Sequence, residues 1–270
     1  MASKSFPSLT ECALCGQPKP LKKSHIIPKF FGRELKKKSN SQTLVDGINP
    51  QKNPKPQDIA KEFLLCAECE QLFSKWEGEF RNNVIPPNQS LLAPIDYQDW
   101  MLKFAVSISW RVLAYLRYAP SYDDGDVTCG ELVKFFPVLV PEAHEEAENA
   151  LETWRLFLLG NKNDIAPYNQ HFIMLNGNNF PHENCNAIGF KIFQVNGMIA
   201  TQALLGQFII LGFIRQDSGW EWKGTVIDPI AGQLGIQQTI PPAYANWLAG
   251  LFVEIENVSV EDWNRRHGGK

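Results

Sequence analysis

A chain of 270 residues, 44% hydrophobic and 20% charged, has the apolar content for a substantial core, which excludes a disordered or low-complexity protein. The net charge of −3 conceals an asymmetry: residues 1–61 hold 12 Lys/Arg against 4 Asp/Glu, so a head of +8 precedes a body of −11. Such a head suits an anionic partner, nucleic acid first among them, although a solvated lysine surface gives the same count.

The first residues, MASKSFPSLTECALCG, lack the apolar run and cleavage site of a signal peptide. Lys103, Arg111 and Arg117 interrupt the apolar stretch 100–119. The stretch 198–214 reads as two strands and a turn, so no membrane partner is expected. Six cysteines without an export signal point to reduced thiols or metal ligands in the cytoplasm.

In chain order, Ile48–Asp58 carries three prolines and no apolar period, which predicts an irregular loop. Cys69, Leu72, Phe73, Trp76 and Phe80 then fall on one face of an amphipathic helix over residues 66–82. A proline-rich linker over 84–94 divides the chain into a module at 1–88 and a domain at 89–270. Asp96 or Asp99 is placed to cap a helix running to Tyr118, apolar nearly all round. A second helix follows through Glu142–Leu159, with Pro141 in its first turn. The period then changes, and 170–176, 187–195, 198–204, 207–215 and 222–228 read as strands, two of them joined by an Asn196-Gly197 hairpin turn. A last helix is expected over Pro242–Glu256. The expected fold class is α+β, helices followed by an antiparallel sheet. The tryptophans at 100, 110, 154, 220, 222 and 247 read as core or sheet-face residues.

Two C-x-x-C pairs, Cys12/Cys15 and Cys66/Cys69, supply four thiolates, the complement of a closed tetrahedral zinc site. The second pair falls at a helix start, where free N–H groups and the helix dipole favour thiolate charge. Zinc there is structural, contributing on the order of 10 kcal/mol to a small module. Four buried reduced thiols, or a redox pair, are the alternative. Cys129 and Cys185 show no such spacing.

Between the pairs lies Ser24-His25-Ile26-Ile27-Pro28, and the second pair sits in Leu64-Leu65-Cys66-Ala67-Glu68-Cys69-Glu70. This order of motifs, over about residues 10–82, resembles the zinc-stapled HNH endonuclease family. The resemblance implies a treble-clef unit of two strands and a helix around a divalent metal, Mg²⁺ or Mn²⁺. It implies hydrolysis of phosphodiester bonds in DNA, with RNA second, and, by analogy, a role in bacterial defence. It assigns His25 as general base, a task that suits an imidazole near neutral pH. Lys22, Lys23, Lys29, Arg33, Lys36, Lys37 and Lys38 surround His25 and are candidates for phosphate contacts.

The sequence departs from the family at three places. Ser24 stands where an acidic residue or histidine ligates metal. Glu70 stands where a histidine follows the last cysteine, and a carboxylate remains a competent Mg²⁺ ligand. The orienting asparagine is missing before Cys66; Asn40, Asn49 and Asn53 are substitutes by order only. Glu70, Ser74 and Glu77 share a helix stripe, either a metal-binding face or, for Glu77 above all, a solvated one. His25 packed inertly beside the zinc is the plain alternative. His144, His171, His182 and His267 show no ligand spacing. A non-catalytic zinc module binding nucleic acid or protein is the second reading, with residues 89–270 left to a substrate, a protein partner or a second copy of the chain.

Overall fold

The computed structural model describes residues 11–38, 43–45, 60–85, 94–118, 141–175, 187–216, 221–235 and 237–252. The loop expected over 48–58, the substitute asparagines, Cys129, Cys185, His182, His267, Trp220 and most of the 84–94 linker lie outside these residues.

The head contains β1 (Leu21–His25), α1 (Lys29–Lys38), β2 (Thr43–Val45), β3 (Lys61–Cys66) and α2 (Ala67–Val84). β1 and β3 form a two-stranded antiparallel sheet, pairing Leu21 with Cys66 and His25 with Lys61. α2 buries Cys69, Phe73, Trp76 and Phe80 of the expected stripe, with Leu72 only partly buried and Val84 buried in addition.

The body follows with β4 (Ile95–Gln98), α3 (Trp100–Tyr118), α4 (Pro141–Leu158), β5 (Gln170–Met174), β6 (Ala187–Val195), β7 (Met198–Leu205), β8 (Phe208–Arg215), β9 (Ala231–Leu234) and a helix α5 at residues 242–252. The main sheet has the order β2-β6-β7-β8-β5. Its β6–β7, β7–β8 and β5–β8 pairs are antiparallel, and the short edge strand β2 adds one parallel pair to β6. The class is α+β, with that pair unforeseen: three residues of the lysine-rich head carry too little pattern to read as a strand. The stretch 222–228 forms only isolated bridges, through Lys223 and Val226. β4 was also unforeseen, and it pairs with β9 just before α3 begins at Trp100.

β7 and β8 are buried along nearly their whole length because both sheet faces are covered. Ile199, Ala203, Phe208 and Ile210 point into the core shared with α2, α3 and α4. Ala200, Leu204, Ile209 and Phe213 point into a second core with Trp222, Tyr244 and Leu248. α3 lies against α2, α4 and the sheet, which is why 15 of its 19 residues are buried. The sheet approaches α3 closely at Gly212 of β8, where an added Cβ would sit 2.5 Å from Ser109 Oγ and 2.8 Å from Thr201 Oγ1. The Asn196-Gly197 turn joins β6 to β7 with φ of 48° and 82°, the double left-handed geometry of a type I′ hairpin.

Described residues from either side of the 84–94 stretch pack on one another. Phe80 of α2 stacks on Phe104 of α3 at 4.1 Å and meets Phe172 and Phe208 of the sheet edge-on at 5.8 and 6.0 Å. Head and body thus share one core. Trp100, Trp110, Trp154 and Trp222 are buried, as expected, and Trp247 is partly so. None of the described helices is long and apolar enough to cross a membrane.

Candidate metal centre and basic face

The first cysteine pair sits on a tight loop. Glu11 bridges Pro18, Cys12 N–H donates to Gln17 O at 3.0 Å, and Gly16 N–H donates to Cys12 O at 2.7 Å. Gly16 has φ of +69°, a conformation that costs a glycine nothing and other residues about 1 kcal/mol or more. Ala13 N–H donates to Leu64 O at 2.9 Å, tying this loop to β3. Cys66 ends β3 in extended backbone, and Cys69 follows in the first turn of α2.

The four Sγ atoms lie within 4.8 Å of one another, and Cys15 Sγ is 3.9 Å from Cys66 Sγ. Zn–S bonds of about 2.3 Å in a tetrahedron set sulfurs about 3.8 Å apart, so the donor set fits zinc. Cys12, Cys66 and Cys69 are buried and Cys15 partly so, which closes the site to a substrate. The thiols differ in acidity. Hydrogen bonding from Cys69, helped by the Cys15, Cys66 and Leu14 backbone, lowers Cys12 to about 4. The bond to Cys12 and burial push Cys69 far up, and burial raises Cys66. A divalent cation must displace the protons held by the raised thiols, so affinity increases with pH. Lys19 meets Glu68 at 3.1 Å on the exposed rim.

His25 ends β1 and is half-buried. Directly paired residues in an antiparallel sheet share a face, and alternate residues along each strand do too. The pairs Lys23–Phe63 and His25–Lys61 therefore present Lys23, His25, Lys61 and Phe63 on one face. Ser24 and Glu62 occupy the opposite face, and both are buried. The register shifts between Lys22 and Lys23, where Leu64 is the extra residue on β3, and both lysines are exposed. Lys29 and Arg33, one turn apart on α1, are exposed as well, and Lys36, Lys37 and Lys38 form its last turn.

Ser24 Oγ donates to Lys22 O at 3.2 Å. Glu70 in the first turn of α2 is partly exposed, yet its Oε1 is buried without a hydrogen-bond partner among the described residues. Glu77 is not the solvated residue that its stripe suggested. Arg111, 3% exposed, reaches from α3 and donates through Nη1 to Glu77 Oε1 at 2.9 Å and to His25 O at 3.1 Å. Its Nε donates to Ser107 O, and the guanidinium lies 5.2 Å from the centre of the Phe73 ring. Burial raises the Glu77 carboxyl, Arg111 opposes that shift, and nearby Glu70 adds to it. An arginine at the middle of α3, flanked on both sides by apolar residues, was the available signal, because a buried guanidinium requires partners. A second arginine, Arg155 of α4, donates to Leu14 O of the cysteine loop at 3.0 Å. Body helices thus grip both halves of the head by its backbone carbonyls.

Among the described residues the four cysteines are the only group of three or more metal-type ligands that converges. His171, without ligand spacing in the sequence, is a core residue. Its Nδ1 lies 2.9 Å from Thr225 Oγ1, and burial lowers it to about 3. A cleft of about 650 Å³ opens beside α2 and β4, lined by Trp76, Tyr97 and Asp99 among others, and includes neither His25 nor Glu70. No protein-family model matches the chain, nor does any curated protein or solved structure.

Proposed function

We propose that the head is a treble-clef zinc module of HNH type and that the protein is a metal-dependent endonuclease acting on DNA, with RNA second. The observation that carries the reading is the face on which His25 stands: a half-buried imidazole sharing one side of a two-stranded sheet with Lys23 and Lys61. The zinc holds the cysteine loop, the end of β3 and the start of α2 in register, and so sets the strand that carries His25. His25 takes a proton from the attacking water. Lys22, Lys23, Lys29 and Arg33 hold backbone phosphates, with Lys36, Lys37 and Lys38 next along α1. Glu70 is the carboxylate for a Mg²⁺ or Mn²⁺ ion, its buried Oε1 still lacking a partner among the described residues. Mg²⁺ asks for only one or two protein carboxylates, and when bound it supplies charge stabilisation for the phosphate and leaving oxygen. Thiolate zinc ligands suit a reducing compartment such as the cytoplasm, and a place in bacterial defence extends the same reading.

Incubation of the zinc-loaded protein with supercoiled plasmid and Mg²⁺ or Mn²⁺, beside His25→Ala, tests this reading. Cutting by the natural protein, lost in a variant of unchanged zinc content, is the expected result. Equal cutting by both removes His25 from the chemistry. A second reading, a zinc module that binds nucleic acid or protein without cutting, has its own support: Ser24 is buried on the other face and Glu77 is occupied by Arg111. Binding without cutting, unchanged by His25→Ala, selects it.

A further inference from the structure

Large apolar side chains leave water when they can, and three exposed ones stand out among the described residues: Phe63 at 45%, Val226 at 50% and Ile230 at 77%. Only Phe63 is aromatic. It lies on β3 directly across from Lys23 and two residues from Lys61, on the face that carries His25. Lys22, next to Lys23 on β1, is exposed as well. An aromatic ring set among lysines on an open two-stranded sheet offers two different contacts to one ligand. The ring takes a flat, weakly polar surface, and the ammonium groups take a chain of anions. A nucleic-acid strand with its bases turned out has both features. A duplex has the anions, but its base faces are hidden in the stack.

We infer that Phe63 is a stacking platform for an unpaired base and that the substrate class of the His25 face is single-stranded or locally unpaired nucleic acid, held by Lys22, Lys23 and Lys61. The inference rests on the nucleic-acid reading of this face and narrows it to one strandedness. The charge of the head supports that occupant over an apolar protein surface, since residues 1–61 carry 12 Lys/Arg against 4 Asp/Glu. Phe63 contributes through its ring and the lysines through phosphate contacts, so the two kinds of contact respond differently to salt.

The test is fluorescence anisotropy of the full zinc-loaded chain with a 12-nucleotide oligo-dT and with a hairpin-closed duplex of equal charge, over a salt series without added Mg²⁺. Tighter binding of the single strand is expected. Phe63→Ala should weaken it about tenfold, within the range measured for one base–aromatic stack, while leaving the salt slope unchanged. Phe63→Trp should retain binding, and Phe63→Leu should behave like the alanine variant. Lys23→Gln should reduce the slope of log K against log salt by about 0.7, one phosphate contact on a single strand. Phe63 is exposed, so these variants should fold, and the circular dichroism spectrum verifies that. If the natural protein binds oligo-dT and Phe63→Ala binds it equally well, the stacking role is overturned while the nucleic-acid reading stands. Preference for the duplex, with Phe63→Ala affecting it as much, overturns the strandedness and points to insertion of the ribbon into a groove. No binding to either probe overturns both.

Discussion

Replacement of Arg111 by Met removes one charge from the junction between head and body while keeping most of the side-chain volume. Arg111 is 3% exposed and its partner Glu77 21% exposed, so the substitution leaves a mostly buried carboxylate without its counter-ion. Loss of one partner of a buried pair costs about 3–5 kcal/mol, well above the value of an exposed pair. The loss should depend on pH. Burial already holds the Glu77 carboxyl above its ordinary value of 4.5, and Arg111 is the main influence pulling it down. A carboxyl raised in the folded state favours the fold fully below its unfolded pKa, and that contribution is lost as pH rises through the folded value. In Arg111→Met the folded value climbs further, so more is lost on going from acid to neutral pH. Urea unfolding followed by tryptophan fluorescence measures this. With a slope of about 3 kcal/mol/M, a deficit of about 4 kcal/mol at pH 7.5 moves the midpoint down by about 1.3 M. Near pH 5 the deficit should shrink toward the about 1–2 kcal/mol attributable to the lost bonds to His25 O and Ser107 O. The double variant Arg111→Met/Glu77→Met should recover much of the stability at pH 7.5. A midpoint within 0.2 M of the natural protein (about 0.6 kcal/mol at that slope), or a deficit equal at both pH values, would refute the buried-pair assignment.

Two further outcomes are expected. After loading with zinc, Cys66→Ser should retain less metal than the natural protein and lose the protection of head amides from hydrogen exchange, because one of four converging sulfurs is gone; full zinc content with native protection would contradict a closed four-sulfur site. Gly212→Ala should lower stability by about 1–3 kcal/mol in a thermal melt, since its methyl group would meet Ser109 Oγ at 2.5 Å between sheet and helix; a melting temperature equal to that of the natural chain would show that α3 moves away freely.

Much of the fold was legible because its signals are local. The spacing of Cys69, Phe73, Trp76 and Phe80 is one helix face whatever packs on it, and Asn196-Gly197 specifies its own turn. The two C-x-x-C pairs were readable as a group that could hold a metal for the same reason: each pair's geometry is set by two intervening residues. Features that depend on distant partners were not legible. Thr43-Leu44-Val45 is a strand because β6 offers it an edge, and Ile95–Gln98 because β9 does. Glu77 looked like a surface residue until Arg111, 34 positions away, was seen to meet it. Phe63 sits in a run of apolar residues, and only the register with β1 separates its outward face from the inward one of Leu64.

The three-residue strand β2 has a consequence for how the protein can be handled. It comes from the head, yet its neighbour β6 belongs to the body. A fragment beginning at residue 89 would uncover the edge N–H and C=O groups that β2 covers at residues 187–189, the first three of the nine in β6. Such a rim invites end-to-end growth with sister fragments, so a truncated preparation should form higher-order species that report on the missing clasp. For the intact polypeptide the same clasp, with the shared core, removes the freedom of a tethered tool: whatever the basic face grips, the whole molecule must turn with it.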